Sequence, residues 1–480
     1  MNQQVLSPVA FVLCLAGSVA CYLCRDDRVR SWCAVGVSIA VSAAFLLMAP
    51  TVLSGQVLAW DLKEGAGLHW LAFRVDMLSW FFGTLASGVW LLVSVYSLGY
   101  MKGGRKLPRY YGTLMLTMAG AVGAFMAAEL VPFFLYFELM SIPAYYLVVH
   151  DGTDEANRAG TTYLFMTIAG GLALFFAIVG TRYIAGSLEI GTRYLIHTPS
   201  RLAFSVFLGF LLAFFTKGGI FPMHIWLARA HPVAPSPASA LLSGIMIKMG
   251  AYGLIRTCYH MFSPDVLRLT GWFYLVLAAG VVSTLLGSFA ALVQEDIKRR
   301  LAYSSIAQMG YVALGVGMLA PLGLRGAVFH VFAHAVMKSL LFLSAGAVIH
   351  ETGKRRIAEW AGVGKTMPLT LSAFTVGALT MVGFPPLAGF LSKYYLGLGA
   401  AYEGMWEFVV LLILSSLLNA AYYLPIVNLA FFKRGEITGH DPGWSMLVPV
   451  LVLAVLCVAF TASGLNVPDS VARAVAGMRL

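Results

Sequence analysis

A chain of 480 residues that is 60% hydrophobic and only 11% charged is not an ordinary soluble domain, and its apolar runs exceed the roughly 20 residues that cross a bilayer. The net charge of +11 does not point to nucleic acid: no basic tract is interleaved with an aromatic RNA-binding signature, and the basic residues cluster between apolar runs, where they report topology. Six cysteines in so long a chain exclude a disulfide framework.

The first ten residues carry no positive charge, whereas Arg25, Arg28 and Arg30 follow the first apolar run. That order is the reverse of a secretory signal peptide, so the first helix is expected to stay, with its N-terminus outside. Cys21 and Cys24 close this helix as small packing residues, with no second pair to build a redox or metal site. Apolar spans follow near 6–24, 31–50, 76–99, 110–128, 130–150, 160–184, 202–228, 235–258, 269–293, 301–319, 324–350, 367–399, 407–432 and 445–465. The expected fold class is all-α, a polytopic membrane protein of about fourteen helices. No connection is long enough for a folded domain; those near 51–75, 185–201 and 351–366 have room only for short surface elements.

Glu138 falls about nine residues into the fifth span, roughly 13 Å from its start and close to midplane. A carboxylate there needs a cationic partner; a purely structural ion pair is the plain alternative. Glu129, at the start of the same span, reads as an interfacial acid. The seventh and eighth spans, Ala213 to Arg256, place Lys217 and Lys248 in apolar runs separated by Pro222, Pro232, Pro235 and Pro237. An ammonium at the centre of a membrane helix costs roughly 2.5–3.5 kcal/mol on insertion scales. Two of them flanking broken backbone suggest an ion pathway and hence a transporter. His224 and His231, toward the cytoplasmic end of the broken seventh helix, are candidate entrance groups.

In the eleventh span His330, His334 and Lys338 repeat at i, i+4 and i+8 and therefore share one face over roughly 12 Å. Such a column suits a proton relay. The alternatives are helix packing through histidine hydrogen bonds and metal binding, the latter short of ligands because no carboxylate or cysteine shares this span. Gly362-Val363-Gly364-Lys365-Thr366 imitates the end of a phosphate-binding loop, but Glu359 stands where the first glycine is required and no strand precedes it. With no dinucleotide fingerprint and no four-cysteine cluster, no cofactor, metal or catalytic redox site of the chain's own is expected.

The twelfth span is interrupted at Gly383-Phe384-Pro385-Pro386, as the seventh is at Gly218-Gly219-Ile220-Phe221-Pro222. The breaks lie five spans apart, and because five is odd the second copy re-enters the membrane from the opposite side. The reading is one transmembrane domain over 1–480: a first inverted repeat at 109–258 (helices 4–8), a second at 269–432 (helices 9–13), and flanking helices in 1–108 and 433–480. Backbone freed by a proline is tolerated at depth only against protein or a hydrated cavity, so both breaks mark candidate hydrated sites. Eighteen basic residues, among them Arg30, Lys298, Arg299, Arg300 and Lys354, fall on one face against ten, among them Lys63, Arg193, Arg256 and Arg479, on the other. The first face is therefore cytoplasmic and both termini extracytoplasmic, in a multi-pass protein of the plasma (inner) membrane.

Several motifs, in order, carry a family resemblance: Phe73 through Ser79, Tyr136-Phe137-Glu138, Lys217 with Phe221 through Leu227, Ala230-His231-Pro232, Ile247 through Gly253, Asp296 through Ile306, and His334 through Phe342. Together they resemble the antiporter-like subunits of respiratory complex I, of Mrp-type sodium/proton antiporters and of membrane-bound hydrogenases including formate hydrogenlyase. The resemblance implies a proton-translocating subunit of a multisubunit redox-driven complex, with further membrane subunits and, through them, redox subunits as partners. Alternatives are an Mrp-type Na+/H+ antiporter subunit without a redox partner and a non-transporting structural subunit. It further implies that Glu138 and Lys217 form a switching ion pair, that Lys248 is the central proton carrier, that His334 and Lys338 lead to the second half-channel, and that Lys393 is the exit group, a position where family members carry lysine or glutamate. The chain stops at Leu480, soon after the fourteenth span, which sets it apart from the most distal complex I subunit with its long lateral helix.

Overall fold

The structure, a computed structural model, describes residues 3–61, 71–191, 194–435, 439–462 and 467–476. Lys63, Arg193 and Arg479 of the charge comparison, and residues 463–465 of the last expected span, lie outside them. The chain is almost entirely helical: α1 (Leu6–Leu23), α2 (Asp27–Leu53), α3 (Met77–Tyr100), α4 (Leu107–Met126), α5 (Leu130–Val148), α6 (Asp154–Ala185), α7 (Arg201–Gly218), α8 (Ile225–Val233), then a run from Ser236 to Met261 made of α9 (Ser236–Leu241), a π-helical turn (Leu242–Met246), α10 (Lys248–Arg256) and a second π-helical turn (Thr257–Met261). Then come α11 (Pro264–Thr270), α12 (Phe273–Leu292), α13 (Ile297–Gly317), α14 (Pro321–Thr352), α15 (Val363–Thr366), α16 (Pro368–Val382), α17 (Ala388–Tyr402), α18 (Trp406–Phe432), α19 (Trp444–Ala462) and α20 (Val467–Val475). Ten helices among the described residues are long and apolar enough to cross a bilayer. The departure from the all-α expectation is small: β1 (Leu58–Trp60) pairs antiparallel with β2 (Phe73–Val75) in the 51–75 connection, Leu58 opposite Val75 and Trp60 opposite Phe73. The terminal α20 was not anticipated either.

Helix ends follow local chemistry. Asp26, Asp76, Thr153, Ser200 and Asp296 each accept a backbone N–H of the first turn of α2, α3, α6, α7 and α13, satisfying donors that the helix itself leaves free. Both expected breaks are present. α7 ends on Gly219 and α16 on Gly383, each in the left-handed conformation with φ of 62° and 89°, which a side chain would strain.

Two helical segments form the centre. The run from Ser236 is buried as far as Tyr259, and α14 is buried from Ala327 to Val348 apart from Phe332. α14 packs against α3, α9, α10, α13, α16, α17, α19 and α20 and so joins the two halves. The outer helices turn Leu46, Phe165, Leu172, Val410 and Leu417 outward, the apolar coat that a lipid-facing surface requires. At the end of the central run Arg256 is clamped on Asp76 by two hydrogen bonds of 2.7 Å, with a third to Ser79 at 3.0 Å. Arg256 is thus a buried tether and not a surface charge; Arg30 and Lys298 on the opposite face are also buried. Removing two from the larger set and one from the smaller leaves the charge bias in place.

Candidate functional site

α5 carries Glu138 inward against α6 at a point where α6 has no side chain: a Cβ on Gly171 would sit 2.3 Å from the Glu138 Oε1. That oxygen is buried and has no hydrogen-bond partner. Lys217 occupies the last turn of α7, just before the break. It donates to Ser141 Oγ and lies 5.1 Å from the centre of the Phe137 ring. Here the geometry differs from the switching pair implied by resemblance: among the described residues no ion pair joins Glu138 to Lys217. Ser141 lies one turn from Glu138 on the same helix face and takes the ammonium instead, while the two charges remain close enough to act on one another.

Lys248 opens α10, directly after a π-helical turn. Its Nζ donates to the Ser243 carbonyl, five residues back, at 2.7 Å and meets His334 Nδ1 at 2.8 Å. With the ammonium as donor, Nδ1 accepts, and the His334 Nε2 then carries the proton. The His334 ring is stacked on His330, centres 5.8 Å apart and planes 14° from parallel. His330 Nδ1 is 3.0 Å from Ser392 Oγ, and its ring meets the Tyr311 ring edge-on at 5.2 Å. Lys393 Nζ lies 5.4 Å from the centre of that same Tyr311 ring. Lys393 is enclosed, 9% exposed, and donates to the carbonyls of Met381 at 2.9 Å and Val382 at 2.8 Å and to Ser416 Oγ at 2.9 Å. These are the carbonyls freed by the end of α16, so the lysine turns back into the broken helix and does not reach for the membrane surface.

The column on α14 splits by direction. His334 and His330 lead from Lys248 toward Lys393, whereas Lys338, one turn beyond on the same face, points the other way: it donates to the Leu301 carbonyl at 2.9 Å, to Ser304 Oγ and to Tyr423 Oη at 3.2 Å. The two candidate entrance histidines also separate. His231 is wholly enclosed, stacked on Phe342 with ring centres 4.6 Å apart, and both its ring nitrogens lack a partner. His224 is partly exposed at the start of α8, beside Phe221.

Sequence reasoning missed the hydroxyls that connect these groups. Ser141 stands three residues after Glu138, Ser392 precedes Lys393, and Ser304 and Tyr311 lie seven apart on α13; each spacing sets the residue on the face already identified. It also missed Lys298 as an interior residue. Among the described residues no group of three or more histidines, cysteines or acids is placed to hold a metal.

Two family patterns match the chain: NADH:quinone oxidoreductase/Mrp antiporter, TM, over residues 127–419, and NADH-ubiquinone oxidoreductase (complex I), chain 5 N-terminus, over residues 69–111. NADH-quinone oxidoreductase subunit N of Desulforudis audaxviator (strain MP104C) is 36% identical over 77% of this chain and 79% of its own length. Hydrogenase-4 component B of Escherichia coli (strain K12) is 35% identical over 68% of this chain, which spans only 50% of that protein. Among solved structures, a chain of the Mrp complex from Dietzia sp. DQ12-45-1b superposes with a TM-score of 0.91 at 22% identity, covering 99% of this chain and 97% of that one. A chain of respiratory complex I from Thermus thermophilus superposes at 0.84 with 27% identity, covering 98% of this chain and 99% of that one.

Proposed function

Since the chain belongs to the NADH:quinone oxidoreductase/Mrp antiporter transmembrane family, we propose that it is the proton-translocating membrane subunit of a multisubunit, redox-driven complex. The observation that carries this reading is the buried line Lys248–His334–His330–Tyr311–Lys393, in which Lys248 and His334 are 2.8 Å apart and no carboxylate neutralises either lysine by an ion pair among the described residues. A desolvated ammonium without a counter-ion gives up its proton readily, and a carboxylate brought near restores its hold. Movement of Lys217 between Ser141 and Glu138 then changes the field at Lys248: with Lys217 drawn to Glu138, Lys248 holds its proton, and with Lys217 released toward Lys248, the proton leaves along His334 and His330 to Lys393. Lys338 serves the opposite side of Lys248. His231 and His224 lie on the entrance side, with His231 the inner of the two.

The proposed arrangement is fourteen crossings in one domain, with inverted repeats at 109–258 and 269–432, in the plasma membrane, both termini outside. Further membrane subunits, and redox subunits through them, supply the drive, as the printed names of the oxidoreductase and hydrogenase relatives suggest. A probable K(+)/H(+) antiporter protein of Rhizobium meliloti (strain 1021), 33% identical over 81% of this chain and 39% of its own length, favours antiport as the second reading. Purification of the intact complex separates the two: hydrogenase or quinone-reductase chains support redox drive, and small antiporter chains without them support antiport. Lys248→Met tests the transport role itself. In membrane vesicles carrying the whole complex we expect at least a tenfold loss of proton movement with assembly retained; proton movement at more than half the wild-type rate would refute it.

A further inference from the structure

Lys298 is the second residue of α13, in a segment whose sequence reads as a cytoplasmic surface loop, yet it is only 5% exposed. Its Nζ donates to the Ala234 carbonyl at the end of α8, at 2.7 Å. The neighbouring acid does not neutralise it: Asp296 caps α13 through Arg299 N at 2.9 Å and pairs with Arg355 at 3.3 Å. Among the described residues Lys298 has no ion pair. Outside it opens a cleft of about 500 Å³ lined by charged groups, among them Glu155, Asp296, Arg299, Arg355 and Arg356, with Pro232 of α8 at its inner edge. On its inner side lies His231, with two unbonded ring nitrogens, which feels the charges of both Lys298 and Lys338. Leu301, whose carbonyl holds Lys338, is one helical turn from Lys298 on α13. The charged and titratable groups acting on Lys298 are Asp296 on its own segment, Arg355 after α14, Asp151 after α5 and His231 on α8.

We propose that Lys298 is the proton-loading group of the chain, taking protons from the charged cleft and passing them through His231 to Lys338. The inference rests on the transport role and cytoplasmic orientation proposed above and adds the residue that begins the path. In the step, the Lys298 ammonium gives one proton to a ring nitrogen of His231, directly or through water, leaving a neutral amine and an imidazolium. The imidazolium passes the proton to the neutral amine of Lys338, and the Lys298 amine is reprotonated by hydronium in the cleft. Burial of an unpaired ammonium beside an unpaired imidazole suits this exchange, since neither is locked in one charge state by a fixed counter-ion.

The competing role is structural: Lys298 merely holds the Ala234 carbonyl at the end of α8. Arginine keeps the charge and a donor for that carbonyl but does not release a proton. The decisive comparison is therefore Lys298→Arg with wild type and Lys298→Met, in vesicles bearing the whole complex, with partner content measured in each. We expect Lys298→Arg to assemble and to lose proton movement at least fivefold, as Lys298→Met does; a smaller loss in the arginine variant overturns the proposal. Where the arginine variant does not assemble, the methionine variant is judged by the same threshold. Failure of both to assemble, beside a Lys248→Met that does, also overturns it in favour of packing. Lys248→Met separates the levels: if that variant stops transport while Lys298→Arg does not, only the loading role falls, whereas unimpaired transport in Lys248→Met removes the proposed function itself.

Discussion

Buried cations in this chain differ in what holds them, and that difference assigns their behaviour. Arg256 is fixed by a two-pronged carboxylate clamp on Asp76, an arrangement that locks charge and geometry together. The five interior lysines, Lys217, Lys248, Lys298, Lys338 and Lys393, instead rest on hydroxyls, carbonyls and an imidazole, partners that hydrogen-bond an ammonium without pinning it. Lys393 offers the cleanest test. Arginine in its place keeps donors for the Met381 and Val382 carbonyls and keeps the charge, yet stays protonated. Glutamate, in its protonated form, still donates to one of those carbonyls and is able to lose and regain a proton. Lys393→Glu is therefore expected to retain more proton movement than Lys393→Arg, which should fall about tenfold, although arginine is the more conservative change by charge. The measurement is vesicle proton transport with assembly checked; near-normal transport by the arginine variant excludes a proton-releasing role.

At the scale of the element, the two helix breaks look alike in sequence and are used differently. Lys217 precedes its break and Lys393 follows its own. In the first, the Thr216 carbonyl freed by the end of α7 is taken by the Trp226 indole at 2.7 Å, which leaves Lys217 free for Ser141. In the second, the freed carbonyls hold the lysine itself. The helices bearing Lys217 and Lys248 approach through glycine: a Cβ on Gly250 would lie 2.4 Å from the Gly218 backbone nitrogen and 2.5 Å from the Phe214 carbonyl. Small residues at such crossings let membrane helices pack backbone to backbone. Gly250→Ala must push α10 away from α7, and we expect about 1–3 kcal/mol of destabilisation from the overpacking. A lowered unfolding midpoint in detergent, with proton movement reduced because the two lysines part, is the expected result; unchanged stability and transport would show that the contact is not needed.

For the whole molecule, α14 is the shared wall. Its His330 and His334 face the second break, its Lys338 faces α13 and α18, and its burial from end to end makes a single change there felt in both halves. Orientation is the testable property at this scale. Because Lys298 is interior, it cannot report the side on which its segment lies, but Arg299 beside it is exposed, as is Thr198 in the connection before α7. In a background freed of native cysteines, Arg299→Cys is expected to react with an impermeant thiol reagent only from the cytoplasmic side and Thr198→Cys only from outside. The opposite pattern would invert the proposed topology, and the direction of the path with it.

Helix positions, the two breaks, and the depth and facing of Glu138, Lys217, Lys248, His330, His334, Lys338 and Lys393 were all legible in the sequence, because hydrophobic length and the 3.6-residue period depend only on neighbours along the chain. The family was legible too, in motifs whose order survives without a structure. What the sequence did not determine is which partners those groups meet. Ser141 in place of Glu138 beside Lys217, Gly171 against the Glu138 carboxylate, Ser392, Tyr311 and Ser416 between His330 and Lys393, and the burial of Lys298 under α8 all join segments far apart in the chain. Serine and tyrosine are ordinary in membrane helices, and a lysine two residues after a helix cap ordinarily faces water. Only the packing of α8 over the start of α13 excludes that water, and only the crossing of α5, α6 and α7 decides which oxygen reaches the Lys217 ammonium first.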